Sequence, residues 1–274
     1  MSSFGLALLA LTGTTAQGVD APARPNVKVA QIESGSDCSL YESSWGTWLV
    51  IECRQQFAQL REGLQSALVE SGTMNLSTMR NGKDVPAPDL VISGRVQGLG
   101  SERMGTTAAD YCVAGTRVKG SLDLRVREAR SNRVIHAATI TRSVEVGSHV
   151  VGGAGGGCSS GQASREHYDL LQRELALSAA RSLAFKLKPL RVVGSQGRTI
   201  ELNYGGPFLA LGTIVQVITA SGMSAKYRVT SALGQQSFAA PMGLTAPVAP
   251  GAAADVIDSD DPAANGRRFE KVEI

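Results

Sequence analysis

A change in hydrophobic periodicity at Pro189 sets the strongest limit on how this chain can fold. On its N-terminal side, two segments repeat apolar residues at helical spacing, whereas only short strand-like stretches and glycine-containing turns follow it. The chain has 274 residues, which is enough for two cores of ordinary size. We therefore predict an α/β domain over residues 23–189 and a small all-β barrel over residues 190–274.

Two helices are predicted in the first domain. Apolar residues at helical spacing indicate a helix over residues 54–71, with Gly72 as its C-terminal cap. The second helix has Ser164 as its N-cap and ends before Pro189. Its predicted apolar face consists of Tyr168, Leu171, Leu175, Ala179 and Leu183.

The predicted strands of this domain form a mixed sheet. Alternating apolar residues, rich in Val and Ile, indicate strands at 26–32, 89–99, 118–128 and 134–146, and a short strand in MNLSTM. The last two long strands form a hairpin around the turn ARSNR, while the glycine-rich segments at 100–112 and 147–164 read as loops. The order of elements predicts an α/β fold with two helices packed on a mixed sheet.

The second domain reads as short strands throughout. The stretch LRVVGSQGRTIELNYGGPFLALGTIVQVI supplies three of them, AKYRVTSA and QQSFAAPM two more, and RRFEKVEI a last one. The biased segment APVAPGAAADVIDSDDPAANG is interpreted as a loop.

The N-terminus predicts export. Residues 1–22 read as a signal peptide or apolar leader, because the run FGLALLAL is too short to cross a bilayer and is followed by small residues. A buried N-terminal strand or helix is the alternative. The predicted location is the periplasm, with association with the outer membrane and no spanning segment. A net charge of +3 without a basic run argues against nucleic acid as a partner.

Four cysteines fit an exported protein with disulfides, and they allow three pairings. Cys38 and Cys53 bracket a hairpin-like excursion around Gly46, so we expect them to pair. Cys112 precedes the predicted hairpin and Cys158 comes after it, so both lie beyond its open end. A second disulfide there would join the base of the hairpin. Four free thiols in a cytosolic protein are the alternative.

Tyr41, Trp45 and Trp48 form an aromatic cluster on the excursion between the first two cysteines. Exposed aromatic side chains of this kind are typical of surfaces that bind proteins or glycans. The cluster is therefore a candidate interaction surface, and rings that cap the edge of the core are the alternative.

No catalytic, cofactor or metal site is predicted. In VVGGAGGGCSSG, Cys158 stands where a Walker loop needs lysine and where a dinucleotide loop needs its last glycine. The three histidines lack the spacing of metal ligands, and no G-x-S-x-G elbow is present. We expect a protein that is not an enzyme and that needs no cofactor.

Several segments together resemble a known family. They are VKVAQI, the helix end LQSALVESG, the strand DLVISGRVQGL, the hairpin VKGSLDLRVREARSNRVIHAATITRSVE, and the glycine- and serine-rich stretch before the final helix. Residues 26–188 thereby resemble the CsgG-type family of curli assembly and transport components. They are also similar to the N-terminal-TolB-like and flagellar assembly protein T domains. The C-terminal domain resembles the small SH3-like barrel found in the last of these.

The resemblance implies a function without catalysis. A CsgG-like protein is expected to act in the cell envelope, in secretion or in the assembly of surface structures, by protein–protein interaction and by self-association into a ring. Its partners are then other envelope proteins, and its membrane contact is by association. A glycan- or peptidoglycan-binding envelope module that uses Tyr41, Trp45 and Trp48 is the alternative function.

Overall fold

A computed structural model describes residues 24–35, 48–77, 86–108, 111–152, 165–206, 208–219, 222–244 and 247–257. Within them there are two helices, and eleven strands that form two sheets. The helices are α1 (Trp48–Glu70) and α2 (Arg165–Leu187). The strands of the first sheet are β1 (Asn26–Ser34), β2 (Asn75–Leu76), β3 (Leu90–Ala108), β4 (Tyr111–Glu128) and β5 (Val134–Gly152).

The first sheet confirms the predicted mixed arrangement. Its order is β2-β1-β3-β4-β5, with β1 parallel to β2 and β3 and the remaining pairs antiparallel. Both helices pack on one face, over inward-facing strand residues such as Ile92, Leu122 and Val126. The hairpin turn also lies where predicted, and Asn132 adopts a left-handed conformation there with φ of 55°.

The predicted apolar face and C-terminal end of α2 are confirmed, whereas α1 begins earlier than expected. The predicted N-cap of α2, Ser164, lies outside the described residues. Leu171, Leu175, Ala179 and Leu183 are buried, with Tyr168 packed beside them. Helix α1 starts at Trp48, so the second arm of the predicted hairpin-like excursion is helical and that part of the prediction is wrong. No glycine or proline stands between Trp48 and Gly63, and nothing in the sequence stops the helix from extending toward its N-terminus.

The predicted loops at 100–112 and 147–164 are also wrong where the structure describes them. Strand β3 continues to Ala108, β4 begins at Tyr111 and β5 runs to Gly152. Cys112 therefore lies within β4, opposite Val151, and not beyond the hairpin. Glycine lowers strand propensity, but here the backbone of β4 pairs on both sides, which holds the segment extended.

The second sheet curls on itself. Its strands, in the order β11-β8-β9-β10-β7-β6, are β6 (Val192–Gln196), β7 (Thr199–Leu202), β8 (Ile214–Ile218), β9 (Ser224–Leu233), β10 (Gln236–Pro241) and β11 (Ala254–Ile257). The two edge strands meet, since Arg191 bridges Ala253 and the Val192 N–H donates to the Ala252 carbonyl at 3.0 Å. The structure thus contains a small barrel-like sheet, and its SH3-like character remains a prediction.

Strand β11 corrects a further prediction. It lies in the biased segment that was interpreted as a loop. The residues Ala254 to Ile257 pair with β8, and Ala254 is buried. The expected last strand in RRFEKVEI and the leader at 1–22 lie outside the described residues.

An aromatic cluster joins the end of α2 to the barrel. The Phe185 and Tyr204 rings meet edge-to-face with centroids 4.9 Å apart, and Phe208 packs against both. The Tyr204 hydroxyl donates to the Lys188 carbonyl at 2.7 Å, an acceptor that the helix end leaves open. It also lies 3.0 Å from the Ala184 carbonyl, which accepts from the Lys188 N–H. Burial raises the pKa of Tyr204 well above its ordinary value, so this phenol stays neutral and remains a donor.

Candidate interaction surface

Strand β5 forms one edge of the first sheet. It has 19 residues, and among the described residues no strand pairs with its outer side. The opposite edge is formed by β2, which has only two residues. A free edge presents a row of backbone N–H and C=O groups that can pair with another chain. This edge is therefore the first candidate site for an interaction.

The sequence of β5 carries only part of the usual protection of an edge strand, namely the inward-pointing Arg142. Natural edges are often blocked by lysine, proline or charges that point inward. Strand β5 contains neither lysine nor proline, and its only Asp, Glu, Lys or Arg residues are Arg142 and Glu145. Its many β-branched residues favour an extended conformation.

Strands β3, β4 and β5 continue beyond the part of the sheet that the described core covers. Among the side chains that the structure describes, the last ones of these strands in the core are Leu99, Val118 and Val144. Beyond the Ser101–Val118 pair, seven more residue pairs join β3 and β4 as far as Ala108–Tyr111. At strand spacing, this three-stranded ribbon extends by about 23 Å.

Ion pairs fix the register at the base of the ribbon. Lys119 Nζ contacts Glu102 Oε2 at 2.8 Å, and Arg117 Nη2 contacts Glu145 Oε1 at the same distance. The hydrogen bond and charge of Lys119 lower the pKa of Glu102 below its ordinary value. Exposed pairs add little to stability, but opposite charges in adjacent strands disfavour a shifted register.

Two side chains of β5 connect the edge to α2. Arg142 is only 9% exposed, and its Nε donates to Ser178 Oγ at 2.7 Å while its Nη1 donates to the Thr141 carbonyl at 2.8 Å. His136 Nε2 lies 3.1 Å from Ser182 Oγ on the same helix. Burial, followed by the charge of Lys186, lowers the pKa of His136. The edge strand is thus held by α2 on one face, which reduces the ordering cost when a partner binds.

A cleft lies where the ends of α1 and α2 approach the barrel. Its volume is about 520 Å³, within the range of small-molecule sites. Leu187, Tyr204 and Phe208 supply apolar atoms to it. Its polar lining includes Arg24, Glu70, Ser71, Lys188, Asn203 and Gln235. The cleft offers both charge signs and amide groups to a ligand, but these side chains do not form a nucleophile–base pair.

Most sequence-predicted site residues fall outside the part that the structure describes. Cys38, Tyr41, Trp45 and Cys158 are among them, so both disulfides remain predictions. Trp48 is the first residue of α1, and Cys53 and Cys112 lie in α1 and β4. The aromatic surface also remains a prediction.

Sequence reasoning missed the free β5 edge. The alternation of valine with polar residues in VEVGSHVVG is the signal that could have revealed the extension of this strand. Which strand stays unpaired cannot be read from that signal, because it depends on the order of all strands in the sheet.

Two further observations concern the described part of the chain. No group of three His, Cys, Asp or Glu side chains in it is placed to hold a metal ion. Neither of its helices combines the length and apolar character needed to cross a bilayer.

Neither a family model nor a curated protein matches the chain. Several solved structures are similar over part of it. A hypothetical protein from Chlamydia trachomatis has 12% identity and a TM-score of 0.37, covering 61% of this chain and 99% of its own. A minor lipoprotein from Acinetobacter baumannii has 12% identity and a TM-score of 0.29, covering 60% and 91%. A PelC dodecamer from Paraburkholderia phytofirmans has 15% identity and a TM-score of 0.28, covering 60% and 87%.

Proposed function

We propose that this protein is a non-enzymatic scaffold of the bacterial cell envelope that assembles by strand addition at the β5 edge. The observation that carries the proposal is the 19-residue edge strand, whose outer side no described strand covers. The apolar leader supports an exported location, and the resemblance to CsgG-type proteins supports a function in envelope assembly or secretion.

Strand addition matches the chemistry of this edge. An incoming strand gains main-chain hydrogen bonds along β5, while alternate side chains provide specificity. Arg142, one of the two charged residues of β5, binds Ser178 beneath the sheet and leaves the edge otherwise weakly charged. The helix-held edge loses little conformational freedom when it pairs.

The partner to which we commit is a second copy of this chain. Two β5 edges related by a two-fold axis would pair as antiparallel strands and form a dimer. A ring, which the family resemblance implies, requires the β5 edge to meet a different surface on the next copy. The measured stoichiometry separates these two forms.

The test measures self-association of the full chain by sedimentation velocity over a range of concentrations. We expect the wild type to form a dimer or a larger closed assembly. A double variant, T141K with S143K, places lysines on β5 and is expected to weaken assembly by about tenfold or more, since charged side chains block edge pairing.

A matched control is Thr230→Lys. Thr230 is exposed on β9, which pairs with β8 on one side and β10 on the other, so this lysine leaves every sheet edge unchanged. A wild type that stays monomeric, or a double variant that assembles like the control, would falsify the proposal. Intact circular dichroism spectra must accompany each variant, so that misfolding is not counted as loss of assembly.

A further inference from the structure

One end of the barrel carries four large apolar side chains in exposed positions. Ile218 is 49% exposed, Met223 60%, Met242 45% and Leu244 98%. We call these four residues the barrel tip. Single exposed apolar residues are ordinary in proteins, whereas a group of them at one place marks an interaction site.

The strand register places the tip residues together. Ile218 pairs with Ser224, which directly follows Met223. The Met242 N–H donates to the Lys226 carbonyl at 2.9 Å. Because β9 and β10 are antiparallel, the chain from Met242 to Leu244 continues toward Met223.

These side chains point away from the barrel interior. Ala225 and Tyr227 of β9 are buried, so Ser224 and Lys226 face outward, whereas Met223 precedes the strand and is exposed in the turn. Val217 of β8 is likewise buried, while the neighbouring Ile218 is exposed. The tip residues are therefore exposed at one end of the barrel.

A tight turn presents part of the tip. The Thr219 N–H and hydroxyl both donate to the Met223 carbonyl, at 2.8 and 2.9 Å. Gly222, within this turn, has a φ of 75°, a conformation that favours glycine. The turn holds Met223 in an exposed position, and the cleft at the ends of α1 and α2 does not include any tip residue.

Basic side chains lie beside the apolar ones. Arg198 Nη2 donates to the Gly243 carbonyl at 3.1 Å, between Met242 and Leu244 in sequence. Lys226 is exposed on β9 next to Met242. The described barrel residues carry more basic than acidic side chains, namely Arg191, Arg198, Lys226 and Arg228 against Glu201 and Asp255.

We infer that the barrel tip docks on the surface of an anionic lipid bilayer. Protruding Leu, Met and Ile side chains enter the interface between headgroups and acyl chains, while Arg198 and Lys226 face lipid phosphates. The positive charge is complementary to anionic headgroups. Small-molecule sites are concave, whereas the tip protrudes, so its shape suits insertion into a lipid interface. The inference is independent of the β5 edge.

The experiment measures co-sedimentation of the full chain with vesicles. Vesicles of phosphatidylglycerol and phosphatidylethanolamine are compared with vesicles of phosphatidylcholine alone. We expect binding to the anionic vesicles that weakens as salt rises. The double variant M223S with L244S is expected to reduce partitioning by about tenfold or more, because each side chain loses its burial in lipid.

The matched control is Leu211→Ser. Leu211 is 69% exposed but precedes β8, whereas Ile218 ends that strand, so the two lie at opposite ends of it. All variants share the same N-terminus, so a difference between them reports on the tip alone. We expect the control to bind like the wild type, and K226E to bind a few-fold more weakly in low salt.

Four outcomes overturn the inference. The wild type fails to bind anionic vesicles, the tip variant binds as well as the wild type, or the Leu211 control loses binding to the same extent. Loss of self-association in the tip variant with unchanged vesicle binding also overturns it, and identifies the tip as a protein contact.

Discussion

The two sheets of this protein differ in whether their edge strands are paired. In the barrel, the β6 and β11 sides meet through the Arg191–Ala253 bridge, so the curled sheet covers its own edges. In the α/β layer, β5 leaves its outer side unpaired within the described structure. A closed sheet is complete in one chain, whereas an open edge of this length is suited to a partner strand.

The exposed side chains differ between the two regions as well. The outer face of the first sheet carries cross-strand polar contacts, such as Arg95 with Glu33 and Thr139 with Asp123. The barrel instead exposes apolar side chains at its tip, including Leu244. This contrast is the basis for proposing strand pairing in the first region and apolar contact in the second.

The largest expected effect on stability is that of a substitution at Gly205, in the closed sheet. A Cβ atom at this position would overlap the carbonyl oxygens of Leu233, Gly234 and Gln236 around the β9–β10 turn. Backbone atoms cannot move aside as a flexible side chain can, so Gly205→Ala should lower the free energy of unfolding by about 3 kcal/mol. Thermal or denaturant unfolding monitored by circular dichroism measures the change.

The adjacent Gly206 is the control for this variant. A Cβ atom there would meet only the Ala232 Cβ, at 4.0 Å. Gly206→Ala should therefore leave the free energy of unfolding nearly unchanged. Equal destabilisation by the two variants would contradict the packing described for the turn.

An intermediate effect is expected where the two regions meet. Tyr204→Phe removes the hydroxyl that lies within hydrogen-bond distance of the Ala184 and Lys188 carbonyls. The free energy of unfolding should fall by about 1 kcal/mol, because the Lys188 carbonyl at the helix end loses its donor. Differential scanning calorimetry measures this, and it also shows whether the unfolding of the two regions separates into two transitions.

Lys188→Met separates the contribution of the lysine ammonium group from that of the Tyr204 hydroxyl. It removes the ammonium group that lies 5.7 Å from the centre of the Tyr204 ring, but keeps a long apolar stem. The expected loss is about 0.5 kcal/mol, smaller than that of Tyr204→Phe. A larger loss in the lysine variant would show that the cation, and not the hydroxyl, connects the helix to the barrel.

The smallest effect concerns the contact between the β5 edge and α2. Since burial lowers the pKa of His136 in the folded state, the unfolded chain binds more protons at this residue. Stability should therefore decrease as the pH falls through the ordinary histidine pKa toward the lowered one, and level off below it. Denaturant unfolding from pH 7.5 to 5 should show a shallower decrease in His136→Gln, which keeps a polar partner for Ser182. An unchanged slope would contradict the assigned cause.

Features that depend on nearby residues could be predicted from the sequence. The apolar face of α2 follows from a 3.6-residue period within one segment, and Leu171, Leu175, Ala179 and Leu183 are buried as expected. The hairpin turn between Glu128 and Val134 was likewise set by local residues. The Gly72 cap is confirmed, since its φ of 63° ends α1.

The candidate site could not be predicted in the same way. The ribbon contains Gly105, Gly115 and Gly147, which weaken a strand signal in isolation. Its strands are extended because neighbouring strands of the sheet pair with them, and that pairing joins residues as distant as Tyr111 and Gly152. The tip residues also lie on separate turns, so only the register of β8, β9 and β10 brings them together.

The sequence by itself determined two helices, an all-β second half and the alternating faces of the longer strands, because each depends on the periodicity of a single segment. Only the tertiary structure decided that no described strand pairs with the outer side of β5, that the β6 and β11 sides meet, and that Tyr204 joins α2 to the barrel. Those features arise from contacts between residues far apart in the chain, which local patterns do not encode.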